Sequence, residues 1–525
     1  MVLFDTDISP FEQVNVALDL ETTGLDSNRH QILEVGAVRF RGDEVIETYQ
    51  TLVNPGVPIP EFIQRLTHIS PQQVKRAPFF SSVAAEIEDF LGADPIIGHN
   101  IQFDIGFLTN NGVRINNPSY DTWDLASVFM PQSRQYSLKY LTTHFQVEHN
   151  DAHRALADAM ATKNVYIKLL RLAAEQDSGL LSYLSNLAAR SRWSISGILA
   201  GLEGTGDAQT SSVGLTGLDL EQLSIRLSSP EKRRADPALS DLSEGKVAGL
   251  LAQNGPFAKV FSGFEHRPEQ EEMLTSVTKA MYHNQHLVVE GGTGVGKSMA
   301  YLLPAALFAI SKGQRVVIST NTINLQEQLM NKDIPALTQV LEESGLVEPG
   351  VLKAALLKGR ANYLCLRRWN HLARSESPTI DDARLLSKTS VWMQKTVSGD
   401  RAEINLSGRD AGSWNHISAG EKGFCPGLRD GSPCFLRAAR ERAEQAHIVV
   451  VNHALLLSDL ARGGGLIPDY QHLVIDEAHN LEDEATRQLG FNVSQEKLDE
   501  VWEPQIRLTT QIRQATAAEG LASSI

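Results

Sequence analysis

The segment Gly291-Gly292-Thr293-Gly294-Val295-Gly296-Lys297-Ser298 directly follows the apolar run His286 to Glu290. An apolar strand that turns through glycines into a helix restricts this part of the chain to parallel α/β architecture. The spacing is G-x-x-x-x-G-K-[ST]. Glycines at Gly291, Gly292, Gly294 and Gly296, with Thr293 and Val295 between them, let backbone N–H groups wrap a phosphate. The helix that follows presents its positive end, Lys297 neutralises phosphate charge, and Ser298 is placed to ligate Mg²⁺. Further strand-like runs follow: Arg315 to Thr320, Ile448 to Asn452 and His472 to Glu477. They are separated by helical patterns, which predicts a parallel sheet with crossover connections. Asp476-Glu477-Ala-His479 ends the last run. This places Asp476 in the Mg²⁺ shell of a bound nucleotide and Glu477 beside a hydrolytic water.

Residues from Asn15 to about Leu170 alternate apolar strands with helices and read as a separate α/β domain. Within Val16-Ala-Leu-Asp19-Leu-Glu21-Thr-Thr-Gly24, the period-2 geometry of a strand points Asp19 and Glu21 to one face. An isolated Asp-x-Glu is most often a solvated strand end, so convergence with other acids decides its meaning. Two further segments supply them: His99-Asn-Ile-Gln-Phe-Asp104, and Asp151-Ala-His153-Arg-Ala-Leu-Ala-Asp158. Five residues on a helix turn through roughly 140°. His153 and Asp158 therefore share a site only if His153 sits in the turn before the helix, with Asp151 placed as its cap.

This set of segments resembles the DnaQ-like exonucleases of the subclass with a histidine in the third motif, over about residues 14 to 170. The resemblance implies an RNase H-like fold in which Asp19, Glu21, Asp104 and Asp158 hold two Mg²⁺ or Mn²⁺ ions. It also implies that His153 takes a proton from the attacking water and that Thr22, Thr23 and Gly24 lie beside the terminal nucleotide. Two cations activate water and stabilise the leaving oxygen in phosphodiester cleavage, and a histidine titrates near neutrality, so the chemistry agrees.

The second region carries Phe264-Glu-His-Arg267-Pro-Glu-Gln270, Ser319-Thr320-Asn-Thr-Ile-Asn-Leu-Gln-Glu-Gln328, Lys358-Gly-Arg-Ala-Asn-Tyr-Leu-Cys365 and Val450-Val-Asn-His453. With the phosphate loop and the Asp-Glu pair, this order is similar to the DinG branch of superfamily two helicases, over about residues 246 to 490. The nuclease-plus-motor arrangement resembles DinG proteins with an amino-terminal nuclease. Arg267 and Gln270 are then nucleotide-binding residues, although the same stretch also reads as a helix start with proline in its first turn.

Three domains are expected: 1–171 as exonuclease, 172–245 as a helical segment and flexible linker, and 246–525 as an ATP-binding RecA-like domain. An irregular or helical insertion is expected at about 330–445. The residues after His479 are too few for a second RecA-like domain of ~100 residues or more. The reading is therefore of a chain that binds ATP with Mg²⁺ better than it hydrolyses it and does not unwind duplex. Cys365, Cys425 and Cys434 lie where relatives place four thiolates for an iron–sulfur cluster, with Asp430 between the last two; with three thiols, the expectation is against a cluster.

A net charge of −15 repels nucleic acid at long range, so a strand must be held by bound cations and local basic residues. Lys358, Arg360, Arg367, Arg368, Arg437, Arg440 and Arg442 are candidates, with a solvated helix face as the alternative. No apolar run approaches the ~20 residues that span a bilayer, and three cysteines form no closed set of pairs, so a cytoplasmic setting is expected. The leading expectation is a metal-dependent 3′-5′ exonuclease on single-stranded DNA or RNA ends, its digestion regulated by the attached ATP-binding half. Two alternatives stand beside it: an ATP-dependent DNA helicase completed by a missing second motor domain, and a nucleotide-switched DNA-binding module without turnover.

Overall fold

The computed structural model describes residues 9–502 except 150, 204–219, 229–231, 242–243, 262, 293, 407–408, 421–431, 491–494 and 496–501. These form two compact units, one of residues 1–228 with 359–438 and one of 229–358 with 439–525.

The first unit is built on a five-stranded sheet of order β3-β2-β1-β4-β5, with β1 Val14–Thr22, β2 Ile32–Arg41, β3 Glu44–Leu52, β4 Ile96–Gly98 and β5 Ser119–Asp121. The first three strands are antiparallel, and β4 and β5 run parallel to β1. Alternation along β1 sorts its side chains. Val16, Leu18 and Leu20 join Val35, Ile87, Phe107 and Leu108 on one face, while Ala17 joins Val38, Phe40, Val165, Tyr166 and Leu169 on the other. Asp19 and Glu21 share the parity of Ala17 and so belong to the face covered by the long helix Ala155–Ala174. Gly36 on β2 lets that helix start close to the sheet: a β-carbon there would stand 2.2 Å from backbone atoms of Ala155 and Leu156.

Residues 359–438 were expected within an insertion of the ATP-binding domain, but they pack with the first unit. Leu366, Trp369, Leu385 and Trp392 share one buried core with Leu184, Leu187 and Trp193 of the helical stretch after the exonuclease region. The helix Ile380–Met393 is buried on nearly every side, so it requires neighbours all round. Arg384 pairs with Asp124 at 2.9 Å and lies over the rings of Trp123 and Trp193. Lys388 and Asp410 form an ion pair whose side chains are both fully buried. Breaking such a pair costs about 3–5 kcal/mol because one charge is left without compensation.

The second unit holds a parallel sheet of order β7-β8-β6-β9, with β6 Val316–Thr320, β7 Ala354–Leu356, β8 Ile448–Asn452 and β9 His472–Ile475. The expected strand before the phosphate loop is not formed. Residues 286–290 pair with none of the described strands, and Val288 is 99% exposed. An apolar run becomes a strand only where a neighbouring edge takes its backbone hydrogen bonds, and the described strands bond only to one another. Among the described residues no helix is long and apolar enough to cross a membrane.

Candidate functional site

Asp19 and Glu21 lie on β1, paired across to Gly36 and Glu34 of β2, with a register shift just after Glu21. Asp104 comes from the first turn of the helix Gln102–Asn110 and is tied to β1 by the Leu20 amide, which donates to its Oδ1 at 3.0 Å. The helix Ala155–Ala174 brings Asp158 in its first turn, and His153 lies in the turn before it with a left-handed φ of 65°. That turn aims the His153 amide at Asp158 Oδ2, 3.2 Å away. Ligand atoms of Glu21, His153 and Asp158 all lie within 4.8 Å of one another.

The acids interact strongly. Burial, then repulsion from Asp158 and Glu34, pushes the Glu21 carboxyl up to about 8, partly offset by Arg154. Burial first, and then Asp104, Asp158 and Glu21, raises Asp19 well above the usual carboxylate range; burial likewise raises Asp104. Carboxylates that repel one another in a desolvated cleft favour a polyvalent cation between them. His99, by contrast, is held neutral by burial, its pKa lowered to about 4, and its Nδ1 meets the Thr122 hydroxyl at 2.9 Å.

This region departs from the sequence reading at several residues. Asp151 is exposed and does not cap the helix; Arg154 occupies the cap position, and the Ala155 amide donates instead to Glu34 Oε2 at 3.1 Å. His149, a second imidazole, contacts Asp158 Oδ1 through Nε2 and is largely buried; its signal was the Glu-His-Asn-Asp-Ala-His spacing ahead of the motif. Gly24 is accounted for without a nucleotide, since a β-carbon there would strike the His30 ring at 2.6 Å. The Thr22 and Thr23 side chains are engaged internally: the Thr22 hydroxyl donates to Gly24 O at 2.8 Å, and Thr23 Oγ1 accepts from the Gln31 amide at 2.9 Å.

In the second unit the helix Lys297–Lys312 begins at Gly296, whose φ is 84°, and Gly294 has φ 85°. Thr293 lies outside the described residues, and Gly291, Gly292 and Val295 lie in the loop before the helix. Lys297 reaches Glu477 Oε1 at 3.2 Å and Gly291 O at 3.3 Å. Gln270 donates to Gly296 O at 2.8 Å, and Arg267 donates to Gly294 O. These two residues therefore brace the loop. Asp476 follows β9, where it accepts a bond from the Tyr301 hydroxyl at 3.0 Å, and Ser298 lies near Tyr301 and Asp333. Burial and the neighbouring Asp476 raise the Tyr301 hydroxyl well above its usual range.

Cys365 and Cys434, both half-buried, line one cavity of about 500 Å³ together with Arg360, Arg367, His371 and Arg374. Cys425 and Asp430 lie outside the described residues.

Residues 16–166 match the family model described as Exonuclease, 267–343 that of DEAD/DEAH box helicase, and 427–498 that of DEAD_2. The 3′-5′ exonuclease DinG of Bacillus subtilis (strain 168) is 28% identical over 90% of this chain and 50% of its own length. That of Staphylococcus aureus (strain USA300) is 27% identical over 91% of this chain and 51% of its own. The chain thus spans about half the length of these curated relatives. Among solved structures, exonuclease X in complex with 5′ overhanging duplex DNA overlaps 31% of this chain and 93% of its own, at 23% identity and a TM-score of 0.27. The chain is similar to the DinG-type 3′-5′ exonucleases, with the Exonuclease match at its amino-terminal side followed by DEAD helicase-type matches.

Proposed function

We propose that the chain removes nucleotides from the 3′ ends of single-stranded DNA or RNA in a divalent-metal-dependent hydrolysis. The observation that carries this reading is the meeting of Glu21, His153 and Asp158 in one cluster beside the electrostatically linked Asp19 and Asp104. The donor set is hard oxygen with one imidazole, suited to Mg²⁺ or Mn²⁺. Asp19, Glu21, Asp104 and Asp158 would hold the ions. Bound there, they would lower the pKa of the attacking water and stabilise the leaving 3′ oxygen. His153, exposed at the mouth of the cleft, accepts the water's proton. Asp158 accepts the His153 amide, holding the turn so that the imidazole faces the acids.

The second unit binds ATP with Mg²⁺ in this reading. Lys297 would contact the phosphates, Ser298 and Asp476 would carry the metal, Glu477 would orient water, and backbone N–H groups of the phosphate loop would hold the β-phosphate. This half also binds nucleic acid and regulates digestion. The proposed function calls on no iron–sulfur cluster.

The test is release of mononucleotides from a 3′-labelled single strand with Mn²⁺ or Mg²⁺, comparing the native chain with Asp19→Ala. Metal-dependent turnover lost in the variant is expected; equal release by both would defeat the reading. A second reading, a nucleotide-switched binder without turnover, draws support from the Lys297–Glu477 pair, which a nucleotide must open. Tight strand binding without cleavage in the same assay would favour it.

A further inference from the structure

We propose that Glu34 is a positioning residue for the hydrolysis, a carboxylate on β2 that sets the turn carrying His153. The inference rests on the exonuclease reading above and adds a residue that the acidic motifs do not contain.

Glu34 interrupts the apolar run Ile32-Leu33-Glu34-Val35 and is fully buried. A buried carboxylate is tolerated only when its lone pairs are satisfied, and here four donors satisfy them. Arg154 grips it with both arms of its guanidinium, Nε to Oε2 at 3.0 Å and Nη2 to Oε1 at 2.7 Å. The Ala155 amide donates to Oε2 at 3.1 Å and Gln50 Nε2 to Oε1 at 2.8 Å. A planar, two-bond fork fixes direction as well as distance.

Two of those partners, Arg154 and Ala155, are the last residue before the helix Ala155–Ala174 and its first. Asp151, the local candidate for the cap, takes no part, so the helix start is fixed by a strand more than a hundred residues earlier in the chain. Gly36, two residues along β2 on the same face, lets the helix backbone come within reach. With Arg154 and Ala155 pinned to the sheet, the chain enters the helix through His153 in the left-handed region, φ 65°. A non-glycine residue holds that conformation only where its surroundings over-determine it. The same left-handed turn delivers the His153 amide to Asp158 and the His153 ring to the Glu21–Asp158 pair. Beside the repulsion it exerts on Glu21, Glu34 is thus placed to act through the orientation of His153.

A double-mutant cycle separates this role from general support of the fold. Release from a 3′-labelled strand with Mn²⁺ is measured under single-turnover and steady-state conditions for the native chain, Glu34→Gln, His153→Ala and the double variant. The amide of Glu34→Gln turns a donor toward Arg154 and Ala155 while keeping volume. Expected is a fall in kcat of at least about tenfold with KM within about twofold, and no further fall when Glu34→Gln is added to His153→Ala. The same fold-loss in both backgrounds, or an unchanged kcat, would overturn the proposal. If Glu34→Gln loses its folded circular-dichroism spectrum, Arg154→Lys enters the same cycle, keeping the charge but losing the fork. A native chain without metal-dependent release would instead defeat the exonuclease reading, so the two failures are distinguishable.

Discussion

The two candidate centres balance charge in opposite ways. In the first unit, Asp19, Glu21, Asp104 and Asp158 crowd into a desolvated cleft in which Arg154 is the cation that lowers Glu21, and Arg154 is already committed to Glu34. In the second, the phosphate-loop lysine is paired with the carboxylate of the Asp-Glu motif. The acidic centre depends on protons or cations from solution to relieve its repulsion, whereas the phosphate loop supplies its own counter-charge. Metal should therefore bind to the first centre unaided, and nucleotide must compete with Glu477 at the second.

The largest effect expected from this contrast is at Asp19. Asp19→Ala should lower nuclease turnover by roughly 10³-fold, the scale of losing an electrostatic stabiliser of the transition state, read from initial rates with saturating Mn²⁺. A loss below about tenfold would erase the distinction between the centres. His149→Ala comes next. The imidazole contacts Asp158, a proposed metal ligand, so its loss should weaken Mn²⁺ binding by about 10–100-fold, measured by paramagnetic resonance of free Mn²⁺. At the second centre, Lys297→Ala should weaken ATP binding by about tenfold or more, or ~1.4 kcal/mol and upward. Fluorescent-nucleotide titration checks this; unchanged affinity would mean that the loop does not hold phosphates.

A smaller effect concerns pH. The folded-state pKa of Glu21 is raised to about 8 from an ordinary 4.5, and Asp19 and Asp104 are also raised. Between those limits the folded chain binds more protons than the unfolded one, so metal-free stability is greatest below about pH 4.5 as far as these groups are concerned. That contribution declines as pH rises toward 8. Divalent metal replaces the protons, so the rise in Tm on adding Mn²⁺ should be larger at pH 8 than at pH 6. Equal shifts at both would break the link between acid crowding and metal demand.

Much of the first centre was legible because its logic is local. Strand parity placed Asp19 with Glu21, and the angular step of a helix required His153 to sit in the preceding turn. The runs that form β6, β8 and β9 were readable as strands from their apolarity. What escaped depends on partners distant in sequence. Glu34 was visible as an acid in an apolar strand, but its role needs Arg154 and Ala155. Residues 359–438 cluster with the first unit, a packing the sequence does not show because Arg384 finds Asp124 only in three dimensions. The run 286–290 was read as a strand from its apolarity alone, although strand formation is settled by an edge to pair with.

The most direct measurement is calorimetric titration of Mn²⁺ into the nucleotide-free chain at pH 7, in buffers of differing ionisation enthalpy. Binding with net proton release is expected, because Glu21 must give up its proton to accept the ion, and Asp19→Ala should lose that binding. No binding, or an isotherm and proton release unchanged in Asp19→Ala, would contradict the assignment of this cleft as a metal centre.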